Sequence, residues 1–106
     1  MLKSLRLKRT CDFDKVFKNG KKIYSKSFIF LYLKEKTLKI GYSVSKKHGK
    51  AVERNRIKRL LRAAMRESVS LIKGNYYIVL LPKVSENYSF SAFSREIKTL
   101  LERENL

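Results

Sequence analysis

Between Lys46 and Arg66 the chain reads Lys46-Lys47-His48-Gly49-Lys50-Ala51-Val52-Glu53-Arg54-Asn55-Arg56-Ile57-Lys58-Arg59-Leu60-Leu61-Arg62-Ala63-Ala64-Met65-Arg66, nine Lys or Arg against one Glu. Residues of this type do one kind of chemistry well. They hold a polyanion through its phosphate oxygens, and Arg adds bidentate gripping and stacking on bases. The rest of the inventory is poor in catalytic groups: one His, one Cys and nine carboxylates. No spacing among them resembles a metal-ligand cluster, a nucleophile elbow or a phosphate loop. His48 has Lys46, Lys47 and Lys50 as sequence neighbours and nothing nearby to orient it as a base. It reads as a solvent-facing residue near a phosphate. Asp12 and Asp14 lie two apart on a helix, point to different sides, and so share no carboxylate site.

The formal charge of +17 is uneven: residues 46–66 carry +8, residues 1–26 carry +7, and all other positions sum to +2. Two dense basic blocks imply two parts of one binding surface, or a surface and an arm, with nucleic acid as the partner. A membrane is the competitor. No apolar stretch approaches the roughly 20 residues that span a bilayer, and no amphipathic segment carries the aromatic face of an interfacial helix. Neither a membrane nor a small-molecule substrate is therefore expected. Cys11 stands alone, which excludes an internal disulfide and fits a reducing, intracellular, cytoplasmic setting. The basic start has no secretory pattern.

At 106 residues with 43% apolar content, the chain suits one domain over residues 1–106, with residues 1–9 as a loose basic N-terminus. Thr10 is placed to cap a first helix over about Cys11–Asn19, with Asp12 and Asp14 in its opening turn and Gly20 as a left-handed stop. Phe13, Val16 and Phe17 share one face of it. Residues 21–24 suit a short strand. The run Phe28-Ile29-Phe30-Leu31-Tyr32-Leu33 reads as a strand covered on both faces, and Leu38, Ile40, Tyr42 and Val44 alternate in a second. The polar turn at residues 35–37 suggests that these two strands pair antiparallel.

The basic run predicts a long helix over about Ala51–Ile72, stopped by Gly74. On it Arg54, Lys58, Arg59, Arg62 and Arg66 fall within an arc of about 140°. Ile57, Leu60, Leu61, Ala64, Leu71 and Ile72 take roughly the opposite side, and Arg56 lies apart. The stripe Arg54, Lys58, Arg62, Arg66 repeats every four residues with no acidic partner on it. Like-charge repulsion of up to about 0.5 kcal/mol per pair is thus left for a polyanionic ligand to relieve. A strand over Tyr76–Leu81 ends at Pro82, and a last helix after Ser89 carries Phe90, Phe93, Ile97, Leu100 and Leu101 on one face. The order αβββαβα builds an α+β domain with one sheet and helices packed on it.

The segment SVSKKHGKAVERNRIKRLLR, with its Arg54-Asn55-Arg56 box followed by Lys58-Arg59 and Arg62, closely resembles the signature of the bacterial ribonuclease P protein family. The basic N-terminus, the F-x-x-V-F-x-x-G pattern of Phe13, Val16, Phe17 and Gly20, and the strand at residues 28–33 extend the resemblance along the chain. It implies a mixed four-stranded sheet in αβββαβα order with a left-handed β-α-β crossover, against the usual rule. It also implies an endoribonuclease complex whose RNA subunit, with bound Mg²⁺, removes the 5′ leader of precursor tRNA, while the protein supplies no catalytic residue; no metal site is assigned to the protein itself. By position, Lys46, Lys47, Arg54, Asn55, Arg56, Lys58, Arg59, Arg62 and Arg66 match the part that contacts the catalytic RNA. Phe13 and Phe17 match aromatics lining a cleft for the single-stranded leader, where stacking is worth about 1–3 kcal/mol per base. On the strand, alignment selects Ile29 and Leu31 for the cleft, joined by Lys58 and Arg62, whereas composition alone selects Phe28, Phe30 and Tyr32. One face must be core, and the resemblance puts Ile29 and Leu31 on the cleft side. A structural RNA-binding protein and a duplex-DNA binder are the rival classes. Dependence of binding on leader length separates the first, and competition between duplex DNA and structured RNA the second.

Overall fold

The structure, a computed structural model, describes residues 6–84, 88–104 and 106. Among these residues three helices, α1 (Thr10–Asn19), α2 (Ala51–Ser68) and α3 (Phe90–Glu104), accompany four strands, β1 (Lys21–Tyr24), β2 (Phe28–Lys34), β3 (Lys39–Tyr42) and β4 (Tyr76–Pro82). Single 3-10 turns cover Lys46–His48 and Val69–Leu71. The expected αβββαβα order and α+β class hold. Among the described residues no helix is long and apolar enough to cross a membrane.

The sheet runs β1-β2-β4-β3, which corrects the expected hairpin between β2 and β3. β4 enters between them, antiparallel to β2 and parallel to β3. The polar turn after β2 does not close a hairpin. It is stitched instead to the start of β4, with Glu35 N–H donating to Asn75 O at 3.0 Å and Asn75 Nδ2 to Lys36 O at 3.1 Å. The long apolar run of β4 explains the exchange, because a strand buried on both faces gains most at the centre of a sheet.

Period-two alternation then splits β2 cleanly. Phe28 and Phe30 are fully buried with Ile23, Ile40, Ile78 and Leu80 under α2 and α3, through Ile57, Leu61, Ala64, Met65, Phe93, Ile97, Leu100 and Leu101. Leu31 and Val79 are buried on the opposite face with Leu7 and Val16, and Phe13, Phe17, Ile29, Leu33, Tyr77 and Leu81 pack half-buried around them. The apolar stripe of α2 is the buried one as expected, except that Leu71 falls in the 3-10 turn and is 45% exposed. Phe90 likewise lies off the buried face of α3.

Several local expectations change. Arg9 takes the N-cap position of α1, and Thr10 lies inside the helix. Gly20 is extended, with φ −74°, not left-handed. Its lack of a side chain serves close approach instead, since a Cβ there would overlap the Val16 carbonyl and come 3.0 Å from the Tyr32 carbonyl. α2 ends at Ser68 and passes into the 3-10 turn, so Gly74 is not its stop; Gly49, with φ 111°, is the glycine in the left-handed region. The basic N-terminus is not loose at residues 6 and 7. Leu7 is buried and donates its N–H to Ile40 O at 2.9 Å, and Arg6 bridges Ile40 as a parallel partner. Residues 1–5 of that segment lie outside the described residues.

Candidate nucleic-acid interface

α2 crosses from the C-terminal end of β3 toward the start of β4, so its buried stripe fixes which way its cations point. With Ile57, Leu61, Ala64 and Met65 against the sheet, Arg54, Lys58 and Arg62 lie half-buried along one flank, and Asn55, Arg56, Arg59 and Arg66 stand exposed. Lys46 and Lys47 are exposed on the 3-10 turn that leads into the helix.

Beside that flank is a groove of about 280 Å³ lined by Arg6, Leu7, Phe13, Ile40, Gly41, Tyr42, Lys58 and Arg62. It lies across edge strand β3. α1 contributes Phe13 from one side of the sheet and α2 contributes Lys58 and Arg62 from the other, while Arg6 comes from the segment paired with Ile40. The groove's shape depends on Gly41, whose register partner is Val79 on the α1 face. A Cβ at Gly41 would sit 2.5 Å from Phe13 Cζ and 2.7 Å from its Cε1. The missing side chain is what lets the Phe13 ring lie down on the strand. Phe17 continues the aromatic surface, its ring centroid 6.5 Å from that of Phe13. The opposite wall is Tyr42, whose ring has the Arg62 guanidinium carbon 5.8 Å from its centroid. Burial pushes the Tyr42 hydroxyl up to about 12, against the nearby positive charges of Arg62, Arg6 and Arg66, so it stays a neutral phenol at ordinary pH.

The ion pairs lie elsewhere. Among the described residues the ion pairs are Lys15 with Glu35, Lys21 with Glu104, Lys98 with Glu67 and Arg103 with Glu104, none of which includes a cation of residues 46–66. Arg54 Nε is buried with no hydrogen-bond partner among those residues. The interface therefore presents uncompensated positive charge beside aromatic rings, the combination that holds single-stranded nucleic acid by phosphate and base together. A lining of cations and apolar groups offers no set of hard oxygen ligands, so the groove does not fit a protein-held Mg²⁺. Among the described residues no three His, Cys, Asp or Glu side chains gather to hold a metal.

Of the expected cleft residues, the structure brings Phe13, Lys58 and Arg62 into one groove, with Phe17 beside it. Ile29 is half-buried in the α1-side cluster, and Leu31 is not exposed at all. Leu31 is thus a packed support beneath α1 and cannot line an open cleft, a correction that follows from its central place between β1 and β4. Phe28 and Phe30, the compositional alternatives, are core on the other face. His48 is not the solvent-facing residue expected. It is half-buried, its Nδ1 lying 2.6 Å from the Tyr88 hydroxyl. Sequence reasoning missed Arg6, Gly41 and Tyr42. Tyr42 hid within an alternating strand, where an aromatic reads as core, and only the position of β3 at the sheet edge opens it to the groove.

The ribonuclease P family model matches residues 1–105. The chain is 38% identical to the ribonuclease P protein component of Bacillus velezensis, over 100% of this chain and 94% of that protein. Its fold is similar to the RNase P protein of Thermotoga maritima, with a TM-score of 0.81 and 30% identity over 92% of this chain and 96% of that one. The Staphylococcus aureus RNase P protein gives a TM-score of 0.82 and 26% identity, covering 96% of each chain. With nearly its whole length matched in both sequence and fold, the chain belongs to the ribonuclease P protein family.

Proposed function

We propose that this protein, as the protein subunit of ribonuclease P, binds the catalytic RNA through α2 and the turn before it, and holds the 5′ leader of precursor tRNA in the groove across β3. The observation that carries the proposal is the groove itself, where Phe13, Lys58 and Arg62 converge from two helices on opposite faces of the sheet. A single-stranded leader suits such a surface, because unpaired bases can stack on Phe13 and Phe17 while Lys58 and Arg62 take the phosphates. Lys46, Lys47, Asn55, Arg56, Arg59 and Arg66 are exposed beside the groove, with Arg54 half-buried among them, and this surface remains available to a second RNA. In this reading the metal-dependent hydrolysis belongs to the RNA subunit, and the protein raises the affinity for substrate that bears a leader.

The test is reconstitution. Adding the purified protein to a bacterial ribonuclease P RNA at low Mg²⁺ is expected to accelerate leader removal, and no gain in rate would refute the proposal. Arg62→Ala is expected to weaken binding of leader-bearing precursor more than binding of mature tRNA. Equal weakening would remove Arg62 from the leader groove.

A further inference from the structure

We infer that Tyr42 is a positioning residue for Arg62, holding its guanidinium over the mouth of the groove so that its N–H donors are free for a leader phosphate. The inference rests on the leader-groove reading and adds to it a residue chosen by neither sequence pattern nor family resemblance.

Arg62 has the position of a phosphate ligand but none of the usual means of being held in place. Among the described residues no carboxylate pairs with it. A carboxylate partner would orient the side chain, but it would occupy two donors and cancel the charge that the leader needs. A ring face orients the cation differently, attracting it through the aromatic quadrupole while engaging none of its five N–H groups. The Tyr42 ring is suited to this. Its backbone is fixed by register opposite Leu80 on β4, and it packs against the main core, so the ring is a fixed wall. The guanidinium carbon lies 5.8 Å from its centroid. Lys58 stands one turn before Arg62 on α2 and lines the same groove, and Phe13 faces it from α1. A nucleotide entering between them would meet an aromatic surface on one side and an oriented pair of cations on the other.

The holoenzyme, reconstituted from this protein and a bacterial ribonuclease P RNA, tests the inference by its affinity for precursor tRNA with a short single-stranded leader and for mature tRNA. Tyr42→Leu is expected to weaken the leader-bearing substrate by about two- to fivefold, the range of an exposed cation–π contact, and to leave mature tRNA unchanged. Tyr42→Val, β-branched and suited to a strand, repeats the measurement on a second aliphatic background. Tyr42→Phe keeps the ring and is expected to restore wild-type affinity, which separates ring-face attraction from any role of the hydroxyl. In an Arg62→Ala background, Tyr42→Leu is expected to add no further loss. If the wild-type holoenzyme does not distinguish the two substrates, the leader-groove reading fails and this inference with it. If it does, and the aliphatic variants either keep full discrimination or lose affinity for both substrates equally, the inference alone is overturned. Tyr42→Phe behaving like Tyr42→Leu would overturn it as well.

Discussion

On the sheet face that carries Phe28, Phe30, Ile78 and Leu80, helices of 18 and 15 residues close over the strands; on the opposite face a single helix of 10 residues does so. The first face is sealed. Phe28, Phe30 and Phe93 are buried there, with Phe28 and Phe93 packed at a centroid separation of 6.2 Å. Among the described hydrophobic residues the second face keeps only Leu7, Val16, Leu31 and Val79 fully covered, and Phe13, Phe17 and Ile29 stay half-open around them. The same kinds of apolar residue thus serve stability where cover is complete and, in the proposed function, recognition where it is partial. A short helix on a wide sheet leaves aromatic edges that a base can reach.

The largest effect expected from this contrast comes from truncating one aromatic on each face. Phe30→Ala should cost about 3–5 kcal/mol of unfolding free energy in urea titrations, a large share of a small domain's stability. Phe17→Ala should cost roughly half as much, because its ring is only partly removed from water, while lowering the affinity of the holoenzyme for leader-bearing precursor. Equal stability losses with unchanged leader affinity would break the distinction between the faces. Gly41→Ala comes next. The added Cβ has no room beside the Phe13 ring, so the ring must lift off the strand. Leader-dependent affinity should fall by about tenfold, within the worth of one stacked base, with a smaller change in melting temperature. A wild-type affinity for leader would show that the placement of Phe13 does not matter.

The smallest effect is a pH dependence at the turn between β1 and β2. Glu96 on α3 accepts hydrogen bonds from Ser25 Oγ at 2.5 Å, Ser27 Oγ at 2.5 Å and Ser27 N–H at 2.8 Å, tying that turn to the sealed face. Burial works to raise its pKa, but the three hydrogen bonds, with the positive charge of Arg95, outweigh burial and hold the carboxyl below its ordinary 4.5. A carboxyl lowered on folding stabilises the fold above that ordinary value and loses the contribution as pH falls through the folded one. The stability advantage of wild type over Glu96→Gln should therefore be full near neutrality and shrink below about pH 4.5. A difference constant down to acid would exclude the ionised carboxylate as its source.

The contrast between the faces was only half legible in the sequence. Periodicity was enough to place α1, α2 and α3, and the absence of acidic residues from the stripe Arg54, Lys58, Arg62 marked α2 as the element with uncompensated charge. Strand order was not legible, because an apolar run such as β4 carries no mark of which neighbours it will take, and the polar turn at residues 35–37 suits a hairpin as well as a junction. The glycines misled for a related reason. Gly20 looks like a left-handed helix stop, but its role is set by Val16 and Tyr32, which only the folded chain brings near. Leu31 and Tyr42 exchanged apparent roles because alternation reports which face a residue takes and not how fully the face is covered.

The insertion of β4 between β2 and β3 also sets an order of events on the ribosome. β2 and β3 leave the exit tunnel well before the strand that pairs with both, and α2 emerges with its apolar stripe and cations before the centre of its sheet exists. Pairings of this sequence separation form late and slowly. The groove across β3 therefore has no finished walls until residues 76–82 have been made, and a nascent chain that stops short of them, although already strongly cationic, has the charge of the groove without its shape.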